Sequence, residues 1–92
     1  MRHQIGQDAA VKMIARARQP KAWGFHREIL DAMLAQPGAA GIRIYMGRSA
    51  EGTATPVVVA FDGVGKDLLG VIAEEAAPCP PFCDVSSPLH DA

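Results

Sequence analysis

Aromatic residues are scarce in this sequence. Trp23, Tyr45, Phe25, Phe61 and Phe82 are the whole set in 92 positions, so the interior has to be built from Ile, Leu, Val, Met and Ala. No apolar run reaches the roughly 18 residues that a membrane-spanning helix needs, so no membrane role is expected. The N-terminal residues lack the apolar stretch of a secretory signal. The expected location is therefore cytoplasmic, where thiols stay reduced. Charge of neither sign dominates: nine Lys and Arg stand against ten Asp and Glu. Nucleic acid is not an expected partner, because a phosphate-tracking groove needs a concentrated basic excess with aromatics interleaved.

Catalytic patterns are missing as well. There is no Ser-His-Asp set. Glu74 and Glu75 are adjacent, so on either a helix or a strand they would point apart rather than act as a pair. Gly63-Val64-Gly65-Lys66 lacks the length and the following Ser or Thr of a phosphate-binding loop. An enzyme is accordingly not the leading expectation.

The length fits one domain, residues 1–92, and the 49% hydrophobic content is that of a folded protein. Charge is distributed unevenly along it. Residues 1–30 carry six basic and two acidic side chains, and residues 31–92 carry three basic and eight acidic. This is either two ordinary solvated faces or the basis of head-to-tail self-association.

Hydrophobic spacing predicts two N-terminal helices. Ala10, Met13, Ile14 and Ala17 recur at helical intervals and predict a helix over Gln7 to Arg18. Pro20 stops it and is suited to open a second helix, Lys21 to Gln36, whose apolar face is Ala22, Phe25, Ile29, Leu30 and Met33. Gln36-Pro37-Gly38 ends that helix. His26 falls on its apolar stripe and reads as a satisfied core histidine.

The period then changes to two. Ile42, Ile44 and Met46 alternate with Arg43, Tyr45 and Gly47, as in a half-buried strand. Arg48 to Ala54 reads as a hairpin loop and Pro56 to Asp62 as a second strand. Its Val57-Val58-Val59 run calls for a central position. Asp62 to Gly65 is a turn. Lys66 to Ala77 mixes signals and reads as a turn of helix leading into a third strand. From Pro78 the proline density predicts an irregular tail, 78–92.

Two groups of residues stand out as candidate sites. In Cys79-Pro80-Pro81-Phe82-Cys83 two thiols are spaced by a stiff insert. One reading is a structural tail with Phe82 plugging a hydrophobic gap. A second is a zinc site that adds Asp84 and His90. A third is thiol redox chemistry, although the prolines remove the helix N–H groups that usually activate such a thiol. A disulfide is conceivable sterically and disfavoured by the expected compartment. The other group, Arg43, Tyr45 and Arg48 on the hairpin's outer face, reads as an interaction patch or as a plain solvated face.

Leu34-Ala35-Gln36-Pro37-Gly38, Gly41-Ile42-Arg43-Ile44-Tyr45 and Pro78-Cys79-Pro80-Pro81-Phe82-Cys83 together resemble segments of a group of short uncharacterised bacterial proteins. The resemblance runs from the second helix to Cys83. It implies a bacterial source and no activity, and it implies that hairpin and cysteine tail belong to one unit.

The expected fold is thus α+β: two N-terminal helices on a small antiparallel sheet of two or three strands, with a Pro/Cys tail. Such a sheet has open edges. The leading functional expectation is a non-enzymatic module acting through self-association as a homo-oligomer or through binding a protein partner, without a cofactor. The alternative is a zinc-binding or thiol-redox protein using Cys79 and Cys83.

Overall fold

Three valines in a row put side chains on both faces of a strand, so such a strand is stable only where both faces find cover. In the computed structural model of the chain, which describes residues 1–17 and 22–90, these valines lie in the middle strand of a sheet. The elements in chain order are α1 (Gln7–Ala15), β1 (Ala22–Gly24), α2 (Arg27–Leu34), β2 (Ala39–Arg48), β3 (Ala54–Asp62), β4 (Asp67–Ala73) and β5 (Ala77–Cys79). β2, β3 and β4 form an antiparallel sheet in that order, and β1 and β5 pair separately. The fold is α+β, as expected.

Contacts group the chain into two compact units. One comprises Met1–Ala22 and Pro78–Ala92, and the other Trp23–Ala77. From sequence the chain read as one domain. The hairpin falls in the second unit and the cysteine segment in the first. The expected end of the first helix at Arg18, the stop at Pro20 and the start of the second helix at Lys21 lie outside the described residues.

The core of the Trp23–Ala77 unit is small. Met33 of α2 meets Val58 and Ala60 of β3 and Ala73 of β4, all 2% exposed or less. Phe25, Ile29, Ala39, Leu68 and Val71 pack around them. Ile29 and Met33 are one helical turn apart, which is why they share the buried stripe of α2. Ala60 and Ala73 keep the sheet surface flat beneath Met33, so the helix can approach closely. The side-chain amide of Gln36 donates to the Met33 carbonyl at 2.9 Å and closes the last turn of α2.

Two expectations need correction. The second helix was expected from Lys21, but Ala22–Gly24 is strand and the helix starts at Arg27. Gly24 costs about 1 kcal/mol inside a helix, and β1 finds a partner in β5 that local spacing could not reveal. The stretch 66–77 contains no helical turn; β4 is a strand throughout.

A register shift explains the false signal in 66–77. Ile72 faces Val59 and Leu68 faces Ala60, so Leu69, Gly70 and Val71 form a bulge. The bulge lets Leu68 and Val71 both pack on the core, and their spacing of three imitates a helix. The tail departs from expectation only at its start, where Ala77–Cys79 is strand; from Pro80 to His90 there is neither helix nor strand.

Candidate interaction surface

Strand alternation gives β2 two different faces. Arg43 and Tyr45 share one, and Ile42, Ile44 and Met46 share the other. On the polar face, Arg43 Nη1 donates to the Gly65 carbonyl at 3.0 Å and to Asp67 Oδ1. Tyr45 donates its hydroxyl to Asp67 Oδ2 at 2.6 Å. The Arg43 guanidinium lies 4.9 Å from the centroid of the Phe61 ring. Gly41 opposes Phe61 in the register, and a Cβ on Gly41 would come within 2.7 Å of that ring. Glycine is therefore what lets the aromatic lie down over β2. Arg43 thus reaches across β3 to the far strand and commits its charge there.

The electrostatics follow from this geometry. The Asp67 carboxyl is held below its ordinary pKa, first by the Tyr45 hydrogen bond and then by Arg43. The Tyr45 hydroxyl is raised by donating to Asp67, and the Arg43 guanidinium is raised by the same carboxylate. An aspartate with a depressed folded pKa stabilises the fold at pH values above its unfolded pKa, and that contribution is lost as pH falls through the folded value. Asp67→Asn is therefore expected to unfold at lower urea concentration than the unaltered protein near pH 7. The gap should close below about pH 4, the unfolded carboxyl value. A gap that is constant down to about pH 2 would mean the carboxylate contributes nothing through its charge.

Arg48 does not join this cluster. Five residues past Arg43 along an unbroken register, it belongs to the opposite face, and its Nη1 donates to the Gly52 carbonyl at 3.0 Å in its own hairpin loop. Asp67, which the sequence reading did not single out, is the residue that binds the other two. No local pattern marks it, because it stands more than twenty residues from both partners. The neighbouring turn is closed on itself: Asp62 Oδ1 accepts the N–H groups of Val64 and Lys66 at 3.0 and 2.9 Å. Those donors are consequently spent on a carboxylate and do not form an anion cradle.

The other face of β2 is apolar and open. Ile42, Ile44 and Met46 are 43%, 59% and 61% exposed. With Trp23, Phe25, Leu30, Pro56 and Val58 they line a groove of about 330 Å³. α2 lies near β2, β3 and β4 and lends Leu30 to this groove, yet the three β2 side chains keep much of their surface in water. β2 is also an outer strand of the sheet.

A second hollow, about 490 Å³, lies between α2 and the end of β4. His26, Glu28, Glu74 and Glu75 line it together with Phe25, Ile29 and Ile72. His26 is exposed just before α2, not buried in a helical stripe as expected, because the helix begins one residue later. Glu74 and Glu75, expected to point apart, both line this hollow. Glu75 has a positive φ of 57° and donates its backbone N–H to Glu74 Oε2 at 2.7 Å.

The two cysteines form a disulfide, Cys79–Cys83, with their Cα atoms 4.9 Å apart, inside the usual 4.4–6.8 Å range. The sequence reading disfavoured this outcome on grounds of compartment; the geometry of the segment permits it. Phe82 is 72% exposed and plugs no gap. Asp84 Oδ1 accepts the Ser86 hydroxyl at 2.6 Å and its backbone N–H at 3.1 Å. These bonds lower its pKa, with a smaller contribution from nearby His90. Asp84 and His90 are thus close to each other, but both sulfurs are engaged with one another. Among the described residues no three His, Cys, Asp or Glu side chains are grouped to hold a metal, and no helix is long and apolar enough to cross a membrane.

Comparison with known proteins finds no matching family model, curated protein or solved structure.

Proposed function

We propose that this protein is a non-enzymatic module that acts by self-association, burying the apolar strip of β2 against another copy. One observation carries the reading. Three large apolar side chains, Ile42, Ile44 and Met46, stand about half exposed in a row on an outer strand, continuous with an apolar groove. Burying one such side chain is worth about 1.5–3 kcal/mol, so leaving three in water invites a partner. The polar cluster on the opposite face is internally satisfied and offers no free catalytic group. Light scattering across a concentration series should give a mass that rises from one chain to a multiple of it. A single-chain mass at every concentration would sink the proposal.

The disulfide favours thiol chemistry as a second reading at Cys79 and Cys83. A reducing dithiol would open the bond, leaving two thiols on the protein and a disulfide in the reductant. A zinc site built from Cys79, Cys83, Asp84 and His90 would need that same opening first, since thiolate is the ligand. A cytoplasmic location and a closed disulfide pull against each other. Alkylation of freshly lysed cells followed by mass measurement separates them: two alkyl groups per chain support the cytoplasm, and none supports an oxidising compartment.

A further inference from the structure

We propose that β2 pairs antiparallel with the β2 of a second copy, centred on Ile44, so that two three-stranded sheets join into one of six strands. This rests on the self-association proposed above and names its geometry.

The first reason is the state of the strand's outer edge. β2 runs ten residues at the end of the sheet order, leaving a row of backbone N–H and C=O groups on its outer side for another strand. The usual guards against such pairing are proline, a bulge in mid-strand, or charge. β2 contains no proline, and its only register shift is at its very start, between Ala39 and Gly41. Its two charges are Arg43 and Arg48. Arg43 is drawn across β3 to Asp67, and Arg48 is tied to the Gly52 carbonyl. The body of the strand is therefore left without an outward charge.

The second reason is self-complementarity. Antiparallel pairing about Ile44 sets Ile44 beside the partner's Ile44 and Ile42 beside the partner's Met46, all on one face. On the other face position 43 stands opposite the partner's position 45, with both polar ends drawn inward to Asp67 of their own chain. On the apolar face Ala40 meets the partner's Arg48. No cation faces a cation, so this register avoids the cost of like charges directly opposed. The two-fold axis stands perpendicular to the sheet and keeps both copies of α2 on the same side. The two grooves lined by Trp23, Phe25 and Leu30 then lie on either side of the new seam and add apolar surface to it. A strand from an unrelated protein would have to supply this match by chance, whereas a second copy supplies it by symmetry.

The test is site-directed linkage in the full chain, with Cys79–Cys83 left closed. Single variants Ile44→Cys and Met46→Cys, both at exposed positions, are oxidised mildly and the linked peptides identified by mass. Directly opposed strand residues have Cα atoms about 4.5–5.5 Å apart, within disulfide reach. Most chains of the Ile44→Cys variant should therefore become covalent dimers, joined through position 44 of both copies. Two copies of residue 46 would be offset by four residues, about 13 Å, so Met46→Cys alone should link at least tenfold less. An equal mixture of Ile42→Cys and Met46→Cys chains should restore linkage, between 42 and 46. A dimer by light scattering without 44–44 linkage overturns this pairing and leaves self-association through another surface. Equal linkage at every position reports collision only and overturns it too. A monomer overturns both proposals and leaves the edge to another protein or another segment of this chain.

Discussion

Met33→Ala is expected to lower the unfolding free energy by about 2–5 kcal/mol. Met33 is the largest side chain with no exposed surface, and it fills the space between α2 and the sheet. The loss has two parts, the transfer energy of the removed atoms and the cavity they leave. The cavity should persist here, because two of the walls are Ala60 and Ala73, which have no side chain to swing inward. A chain of this size is stable by only about 5–10 kcal/mol. For domains of 60–100 residues each kcal/mol is worth roughly 4–8 °C in Tm, so the midpoint should fall by about 8 °C or more. Leu34→Ala, one residue along the same helix and 50% exposed, should cost less than about 1 kcal/mol. Urea unfolding of the two variants, followed by circular dichroism, makes the comparison. Equal losses would mean that α2 does not present this face to the sheet.

Ile44→Asp is expected to weaken self-association on the order of 100-fold. Ile44 is 59% exposed in the single chain, so association can bury only that remainder, about 0.9–1.8 kcal/mol in each of two copies; with a carboxylate to be desolvated as well, the loss comes to about two factors of ten. The same exposure means that the fold itself should lose little. That contrast makes the measurement clean. Light scattering should show the variant as one chain at concentrations where the unaltered protein is associated, while the urea midpoint at low concentration hardly moves. A variant that associates as before would place the interface away from β2. Leu34→Ala, on α2 and outside the β2 strip, serves as the control and should associate as the unaltered protein does.

The legible and the hidden parts of this molecule separate by the range of the interactions involved. The alternation at Ile42, Ile44 and Met46 announced β2, and Val57-Val58-Val59 announced a central strand, because both signals are local and of period two. The stripe of Ile29 and Met33 announced the core-facing side of α2 for the same reason. The reading failed wherever a distant partner outweighed local preference. Ala22–Gly24 looked helical and became strand through pairing with Ala77–Cys79. Leu68 and Val71 looked helical because a bulge against β3 brings both to one face.

The candidate surface divides along the same line. Arg43 and Tyr45 were visible as one face of a strand. Asp67, which draws their polar ends inward and so clears β2 of outward charge, was not, because it sits across the sheet in a different strand. The spacing of Cys79 and Cys83 allows a disulfide in the bare sequence, and only the folded segment shows it closed.

Periodicity in the chain was enough to mark Ile29 and Met33 as core-facing and β3 as the middle strand. Folding in three dimensions alone settled which apolar residues stay in water. α2 is eight residues long and lends only Leu30 to the groove along β2, so Ile42, Ile44 and Met46 stay 43%, 59% and 61% exposed. An amphipathic pattern records that a side chain prefers cover; whether cover arrives depends on the reach of a neighbouring element, and along β2 that cover is only partial.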